Sequence, residues 1–256
     1  MPIELIRQAV RTDKAAGLRP FCVIANAGTT NTGAVDPLTG LADLCAEEKM
    51  WLHADGAYGA ASVICERGQK KLAGLERVDS LSLDPHKWLF QPFECGCILA
   101  RDKAQLRSAF QLMPEYMRDV HRNVAETNPA DYGIQLSRSF RALKVWLSIN
   151  TFGMEAFRNA ITRGFELAEF AERELRKRRG CEILSPAEMA IVAFRFGKDD
   201  ALQTQLVEQM LRDGFAFLTS TTLKGVTALR LCTINPRTTE EDLIQTIDRL
   251  EKFAAL

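Results

Sequence analysis

Two polar residues in apolar surroundings raise the question of chemistry. Lys87 stands in "SLSLDPHKWLF" (Ser80–Phe90), preceded by Leu81 and Leu83 and followed by Trp88, Leu89 and Phe90. Lysine is seldom buried, so its place needs a reason. In one reading the strand surfaces there, Pro85 turns the chain and the amine reaches solvent along its aliphatic stem. In the other, the lysine sits in an apolar pocket, loses its proton more easily and becomes a nucleophile toward carbonyls. Asp55, in "HADGAYG", also has two readings. It is a helix N-cap, or it is a counter-ion for a protonated heteroaromatic nitrogen, since a carboxylate beside a fixed cation stays ionised at neutral pH.

The elements around these residues would bring them together. "IELIRQAVRTDKAAG" predicts a helix with Ile3, Leu5, Ile6 and Val10 on one face and a stop at Gly17. The run "PFCVIANAGTT" reads as a strand, followed by helix "LTGLADLCAEEKM", strand "WLHADGAY", a helical or irregular stretch to Lys71, and strands "SLSLDPHKW" and "CGCILAR". Strands apolar on both faces that alternate with helices predict an α/β unit with a mainly parallel sheet covered on both sides. Thr29 and Thr30, Asp55, and Asp84 to Lys87 all fall at or just past carboxyl ends of strands. Ligands bind there in open α/β sheets, so three strand ends would meet at one crevice.

From Phe110 to Tyr132 the chain is polar and aperiodic, with two prolines, and reads as a long mobile loop, of a length that is usually functional or disordered. A long amphipathic helix from Arg138 to Arg178, bent near Gly153, comes next. Strands "CEILS", "MAIVAFRFG" and "ALRLCTIN" then alternate with helices "DALQTQLVEQMLRDG" and "TEEDLIQTIDRLEKFAA". This predicts a second, α+β unit, with the boundary near Lys144 dividing the chain into 1–143 and 144–256.

Composition narrows the function. The chain has 256 residues with 33 Lys plus Arg against 33 Asp plus Glu, so nothing favours a nucleic acid or an anionic membrane as partner. Seven cysteines without a C-x-x-C pair argue against a disulfide framework or a metal site. Cys95 and Cys97 are expected on one face of a strand, and the thiols are expected reduced and in the core. No run approaches the roughly 20 apolar residues that span a bilayer, and "MPIELIRQAVRTDK" lacks the apolar stretch of a signal peptide. A soluble cytoplasmic protein is the expectation.

One cofactor needs both an amine and a ring-nitrogen acid: pyridoxal phosphate draws electrons from a substrate's α-carbon only while its ring nitrogen stays protonated. An imine between Lys87 and the cofactor aldehyde would explain the lysine. Gly56 and Ala57 would leave room for the flat ring, Thr30 would reach its phenolic oxygen, and His86 would approach the phosphate or the substrate carboxylate. The motifs "NAGTTNTGAVDPL", "WLHADGAYGAA" and "DPHKWLFQPFECGCILARD" resemble those of the group II pyridoxal-phosphate decarboxylases, most closely the aromatic-amino-acid branch. The similarity continues through "SRSFRALKVW" to the end of the chain.

That resemblance implies an aspartate-aminotransferase-like fold of type I, present here as part of the large PLP-binding domain plus the small α+β C-terminal domain. It implies Lys87 as the imine lysine, Asp55 as the partner of the ring nitrogen, Ala57 as a ring-packing residue and Thr30 as a ring-oxygen contact. His86 joins the catalytic and cofactor-binding set. Tyr116, in "MPEYMRD", matches the loop tyrosine that protonates the α-carbon after carbon dioxide leaves. Relatives with phenylalanine there tend toward oxidative aldehyde formation, so Tyr116 implies simple decarboxylation. His53 matches a position of structural character. Asp84 stands where many relatives have asparagine; a carboxylate there must point away from a phosphate or accept a hydrogen bond.

The match begins midway along the family pattern, without the phosphate-binding turn and the histidine that stacks on the cofactor. The expectation is a truncated or split form that exposes apolar surface and unpaired edges. It would act on an amino-acid substrate as a homodimer or with a separately encoded amino-terminal half. Alternatives are an inactive fragment, an aldehyde synthase or an aminotransferase.

Overall fold

A computed structural model describes residues 1–111 and 127–255 of the chain. Its first half opens with α1 (Ile3–Ala15), which ends where Gly17 adopts a φ of 79°. The amphipathic face is narrower than its spacing suggests: Val10 is buried and Ile3 and Ile6 are half-buried, but Leu5 is 61% exposed. There follow β1 (Cys22–Asn26), α2 (Leu38–Glu48), β2 (Trp51–Asp55), α3 (Glu66–Lys71), β3 (Ser80–Leu83), β4 (Cys97–Ala100) and α4 (Lys103–Phe110). Strands β1, β2 and β3 are parallel neighbours in that order, and β4 closes the edge antiparallel to β3.

Register assigns the two faces of this sheet. Val23, Ala25, Leu52 and Ala54 point into a core shared with Leu38, Leu41 and Leu44 of α2. The opposite face carries Ile24, His53, Asp55, Ser80, Ser82 and Ile98. The expectation of a sheet covered on both sides is therefore corrected. Ile24 is 61% exposed and Ile98 is also exposed, so along the described residues one face is open. The period-2 alternation Ser80-Leu81-Ser82-Leu83 is that of a half-covered strand rather than an all-apolar one.

The second half begins with α5 (Ala142–Arg176), whose helical path breaks at Gly153 (φ 77°, ψ 154°), as its sequence predicts. Then come β5 (Cys181–Glu188), β6 (Ile191–Phe196), α6 (Asp200–Asp213), β7 (Thr219–Leu223), β8 (Val226–Cys232) and α7 (Glu240–Ala254). The strands form an antiparallel sheet in the order β5-β6-β8-β7. A second core gathers Leu167, Leu175, Phe194, Leu206, Leu229 and Ile247 from helices and sheet. Strand β7 escapes the sequence reading because "TSTTL" is a short polar edge strand without an apolar run.

The two sheets meet through the β5–β6 hairpin. Glu188 pairs with Ile191, leaving Met189-Ala190 as a two-residue turn with φ of 45° and 61°. Such turns favour Asn-Gly, because each left-handed non-glycine residue costs about 1–2 kcal/mol. Here burial opposes that cost: Met189 and Ala190 are fully buried in the first core, and Tyr58 donates to Met189 O at 2.6 Å. The tip seats beside Gly28, Gly33 and Gly59. A Cβ on Gly33 would lie 2.2 Å from Glu188 O, so glycine is required at that contact.

Among the described residues no helix is long and apolar enough to cross a membrane, and no His/Cys/Asp/Glu cluster could hold a metal. All seven cysteines are free, but Cys232 is exposed rather than in the core. Cys95 precedes β4 instead of sharing a strand face with Cys97.

Candidate active site

The parallel strands deliver their polar ends to one edge of the first sheet. Asp55 is the last residue of β2 and pairs in register with Ser82 of β3. Its Oδ1 accepts from Ala57 N and from Ser82 Oγ, each at 3.1 Å. The first bond is the turn-capping contact that its sequence allows. The second is a contact to the neighbouring strand that the period-2 placement of Ser82 brings about. Asp55 stays exposed and Ala57 half-buried. Gly56 serves the other side: a Cβ there would lie 2.3 Å from Ala60 Cβ and 2.8 Å from Leu81 Cδ1. Core packing demands glycine at 56, which corrects its reading as room for a ring.

After β3 the chain turns sharply. Asp84 N donates to Ala57 O at 3.2 Å, Lys87 N to Asp84 O at 2.9 Å and Gln91 N to Pro85 O at 3.1 Å. The next residue anchors the turn: Trp88 is fully buried, stacked on Tyr58 at 5.3 Å between centroids and tilted against Phe165 at 5.3 Å. Aromatic pairs of this kind add about 0.5–1.5 kcal/mol beyond their buried area. Burying Trp88 thus holds its neighbour Lys87 at the strand end.

The amine itself is not isolated in an apolar pocket. Lys87 Nζ is 2.9 Å from Asp84 Oδ2, and its side chain is 30% exposed. Asp84 thereby has an ion-pair partner of its own, the arrangement that reconciles a carboxylate with this position. His86 Nδ1 lies 2.7 Å from Cys95 O, and its Nε2 lies 3.9 Å from the same Asp84 oxygen. Phe93 meets the imidazole edge-on at 5.1 Å. His53 Nδ1 lies 2.8 Å from Ser80 Oγ, which also accepts from Trp51 Nε1 at 2.8 Å, a tie between strands.

Thr30 lies in the loop that follows β1, exposed, four residues past the strand end. Within the loop Gly33 N donates to Thr29 O at 2.8 Å and Thr29 N to Ala34 O at 3.0 Å. The structure therefore brings Asp55, Ala57, Asp84, His86 and Lys87 to one sheet edge, with the Thr30 loop following the neighbouring strand. Tyr116 lies outside the described residues. A cleft of about 680 Å³ lined by Asp36, Thr39, Lys71 and Glu188 is separate from these residues.

Sequence reasoning passed over two residues. Ser82 was legible as a polar position on the Asp55 face, had β3 been read as alternating. Arg230, in "ALRLC" of β8, is a charged residue between the buried Leu229 and Leu231, and that misfit was its signal.

A family model described as the pyridoxal-dependent decarboxylase conserved domain matches residues 1–197. Over 98% of its length the chain is 48% identical to an aromatic-L-amino-acid decarboxylase of Bacillus atrophaeus, of which it covers 54%. It is also similar to a phenylacetaldehyde synthase of Petunia hybrida, at 34% identity over 92% of this chain and 49% of that protein. Among solved structures, Oryza sativa TDC with PLP and tryptamine superposes with a TM-score of 0.93 at 29% identity, covering 100% of this chain and 55% of the other. The chain spans about half the length of these relatives.

Proposed function

The chain belongs to the pyridoxal-dependent decarboxylase family, and from that premise we propose that it supplies the lysine-bearing half of an enzyme that decarboxylates an aromatic amino acid to its amine. One observation carries the reading. Asp55 and the Asp84–Lys87 turn leave adjacent parallel strands at the same sheet edge, joined through Ser82 and the Asp84 N to Ala57 O bond. The aromatic substrate class draws its support from the Bacillus atrophaeus decarboxylase, 48% identical.

The residues fit pyridoxal phosphate. Both hydrogen bonds to Asp55 fall on Oδ1 and the side chain is exposed, so Oδ2 can accept from a ring N–H. Ala57 offers a small surface beside it, Lys87 an amine and Thr30 a hydroxyl. When bound, the cofactor supplies an electron sink for the carbon that loses carbon dioxide.

The chain's own residues would have these tasks. Asp55 keeps a proton on the ring nitrogen by holding a negative charge against it. Lys87 would supply the amine that holds the cofactor, and Asp84, 2.9 Å from Nζ, would be its ion-pair partner whenever that amine is protonated. His86, with Nδ1 engaged by Cys95 O, presents Nε2 toward the anionic groups. Tyr116 returns a proton to the substrate α-carbon. A self-associated state or association with a chain carrying the amino-terminal half, together with a cytoplasmic location, completes the proposal. The exposed Ile24 face supports association.

A second reading, aldehyde formation, is favoured by the 34% identity to the Petunia hybrida phenylacetaldehyde synthase. Tyrosine at 116 supports the amine. The deciding experiment co-expresses the chain with a polypeptide carrying the family's amino-terminal half, titrates the assembly with pyridoxal phosphate and identifies the product formed from aromatic amino acids. A visible absorption band lost in Lys87→Ala, together with amine formation, is expected. A band that survives Lys87→Ala would overturn the assignment, and an assembly that binds cofactor without turnover would indicate an inactive form.

A further inference from the structure

The two halves of the chain are joined at a point that bears on the site. Arg230 projects from β8 of the second sheet, where it faces Ala193 of β6 and Thr219 of β7 in register. Its guanidinium leaves its own sheet to reach the loop after β1. Nη2 donates to Thr30 O at 2.6 Å and Nε to Asn31 O at 2.8 Å, while Nη1 donates to Thr219 Oγ1 at 3.1 Å. Two adjacent peptide oxygens are thus gripped by one planar fork whose third arm is anchored in the sheet. A flexible ammonium cannot reproduce that geometry.

The loop has few other means of fixing its tip. Its internal bonds run from Thr29 to Thr32, Gly33 and Ala34, none of them to Thr30 or Asn31, and the β5–β6 hairpin presses on Gly33. Thr30 and Asn31 sit at the exposed apex. Resting on the reading of Thr30 as a ring-oxygen contact, we propose that Arg230 is a positioning residue, which sets the Thr30 hydroxyl at the cofactor crevice by clamping the peptide that carries it. The second sheet then contributes to cofactor binding without touching the cofactor.

The experiment has two arms. In the first, hydrogen exchange of the full chain without cofactor compares wild type, Arg230→Ala, Arg230→Lys and Thr219→Val. Faster exchange confined to residues 28–35 in Arg230→Ala is expected, with a smaller change in Arg230→Lys and none there in Thr219→Val, which keeps both carbonyl contacts. Unchanged loop exchange in Arg230→Ala overturns the proposal.

In the second arm, pyridoxal phosphate is titrated into the assembly with the amino-terminal half, built from wild type, Thr30→Ala, Arg230→Ala or the double variant, with Lys87→Ala as the control for a specific band. Loss of one well-placed charged or neutral hydrogen bond predicts about a tenfold weaker Kd in Arg230→Ala. Because Arg230 acts through Thr30, the double variant should bind no more weakly than Thr30→Ala, and the proportions of the absorbing forms should match in the two. Additive losses, or wild-type binding by Arg230→Ala, overturn the proposal. A wild type without a Lys87-dependent band would instead defeat the cofactor reading. The exchange arm needs no cofactor, so it still distinguishes a real clamp from none.

Discussion

Replacing Gly33 with alanine tests how the two halves of the chain are held together. Gly33 has a φ of 76°, and a Cβ there would lie 2.2 Å from Glu188 O, 2.7 Å from Glu188 C and 3.0 Å from Met189 Cβ. The structure contains its own control. Gly17 has nearly the same backbone, φ 79°, yet a Cβ on it would meet nothing within 4 Å. Alanine at either position suffers the left-handed strain of about 1–2 kcal/mol. At Gly33 the methyl must also displace backbone of a buried hairpin turn, an overpacking cost of about 1–3 kcal/mol more. Gly33→Ala is therefore expected to destabilise the chain by about 2–5 kcal/mol, against about 1–2 kcal/mol for Gly17→Ala.

Urea unfolding followed by tryptophan fluorescence measures the difference. Trp88 lies fully buried against Phe165 and reports on the region where hairpin and loop meet. With a slope of about 3 kcal/mol per molar urea, a gap of about 2 kcal/mol separates the two midpoints by about 0.7 M. If Gly33→Ala unfolds at the same urea concentration as Gly17→Ala, the hairpin yields freely and the close contact does not hold the Thr30 loop.

Three further outcomes are expected. In the completed enzyme, Tyr116→Phe should shift product from amine toward aldehyde, measured by separating the two after reaction with an aromatic amino acid; an unchanged ratio rejects the role of that tyrosine. Lys49 closes α2 with a φ of 55° and a backbone bond to Cys45 O, exposed on the surface. Lys49→Gly should stabilise by about 0.5–1 kcal/mol, the relieved strain less glycine's extra chain entropy, and a lowered melting temperature would contradict this. Burial, with Glu251 adding, pushes the Cys181 thiol up to about 12, and burial, with Asp79 adding, pushes Cys45 up to about 11. Because the thiolate is the reacting form, both stay protonated at pH 8 and react only as pH climbs toward those values. Iodoacetamide at pH 8 should label exposed Cys232 first, and peptide mapping that finds Cys181 or Cys45 labelled as fast refutes the burial argument.

Much of the site is legible in the order of residues because its signals are local. A parallel strand ends where its apolar run ends, so Asp55 and Asp84–Lys87 could be placed at strand termini from the chain alone. The break at Gly153 and the helices flanking the second sheet follow from glycine and period 3.6 in the same way. Strand β7 was not legible, because its residues are ordered by pairing with β8 rather than by their own propensity. From its neighbours in sequence the Lys87 amine could reach solvent or sit in an apolar pocket; what surrounds it depends on how the Asp84 turn folds back, and it folds to make an ion pair.

By itself the sequence determined which residue types stand at which strand ends, and hence the class of chemistry available to them. Tertiary structure alone decided which face of the first sheet lies open, that Gly56 belongs to the core, that a Met-Ala turn plugs the first half of the chain, and that Arg230 reaches Thr30 across 200 positions of sequence. The physical reason is range. Alternation, capping and turn preference act over a few neighbours, whereas a backbone contact at Gly33 or a guanidinium on two carbonyls exists only once distant segments have been brought together by burial.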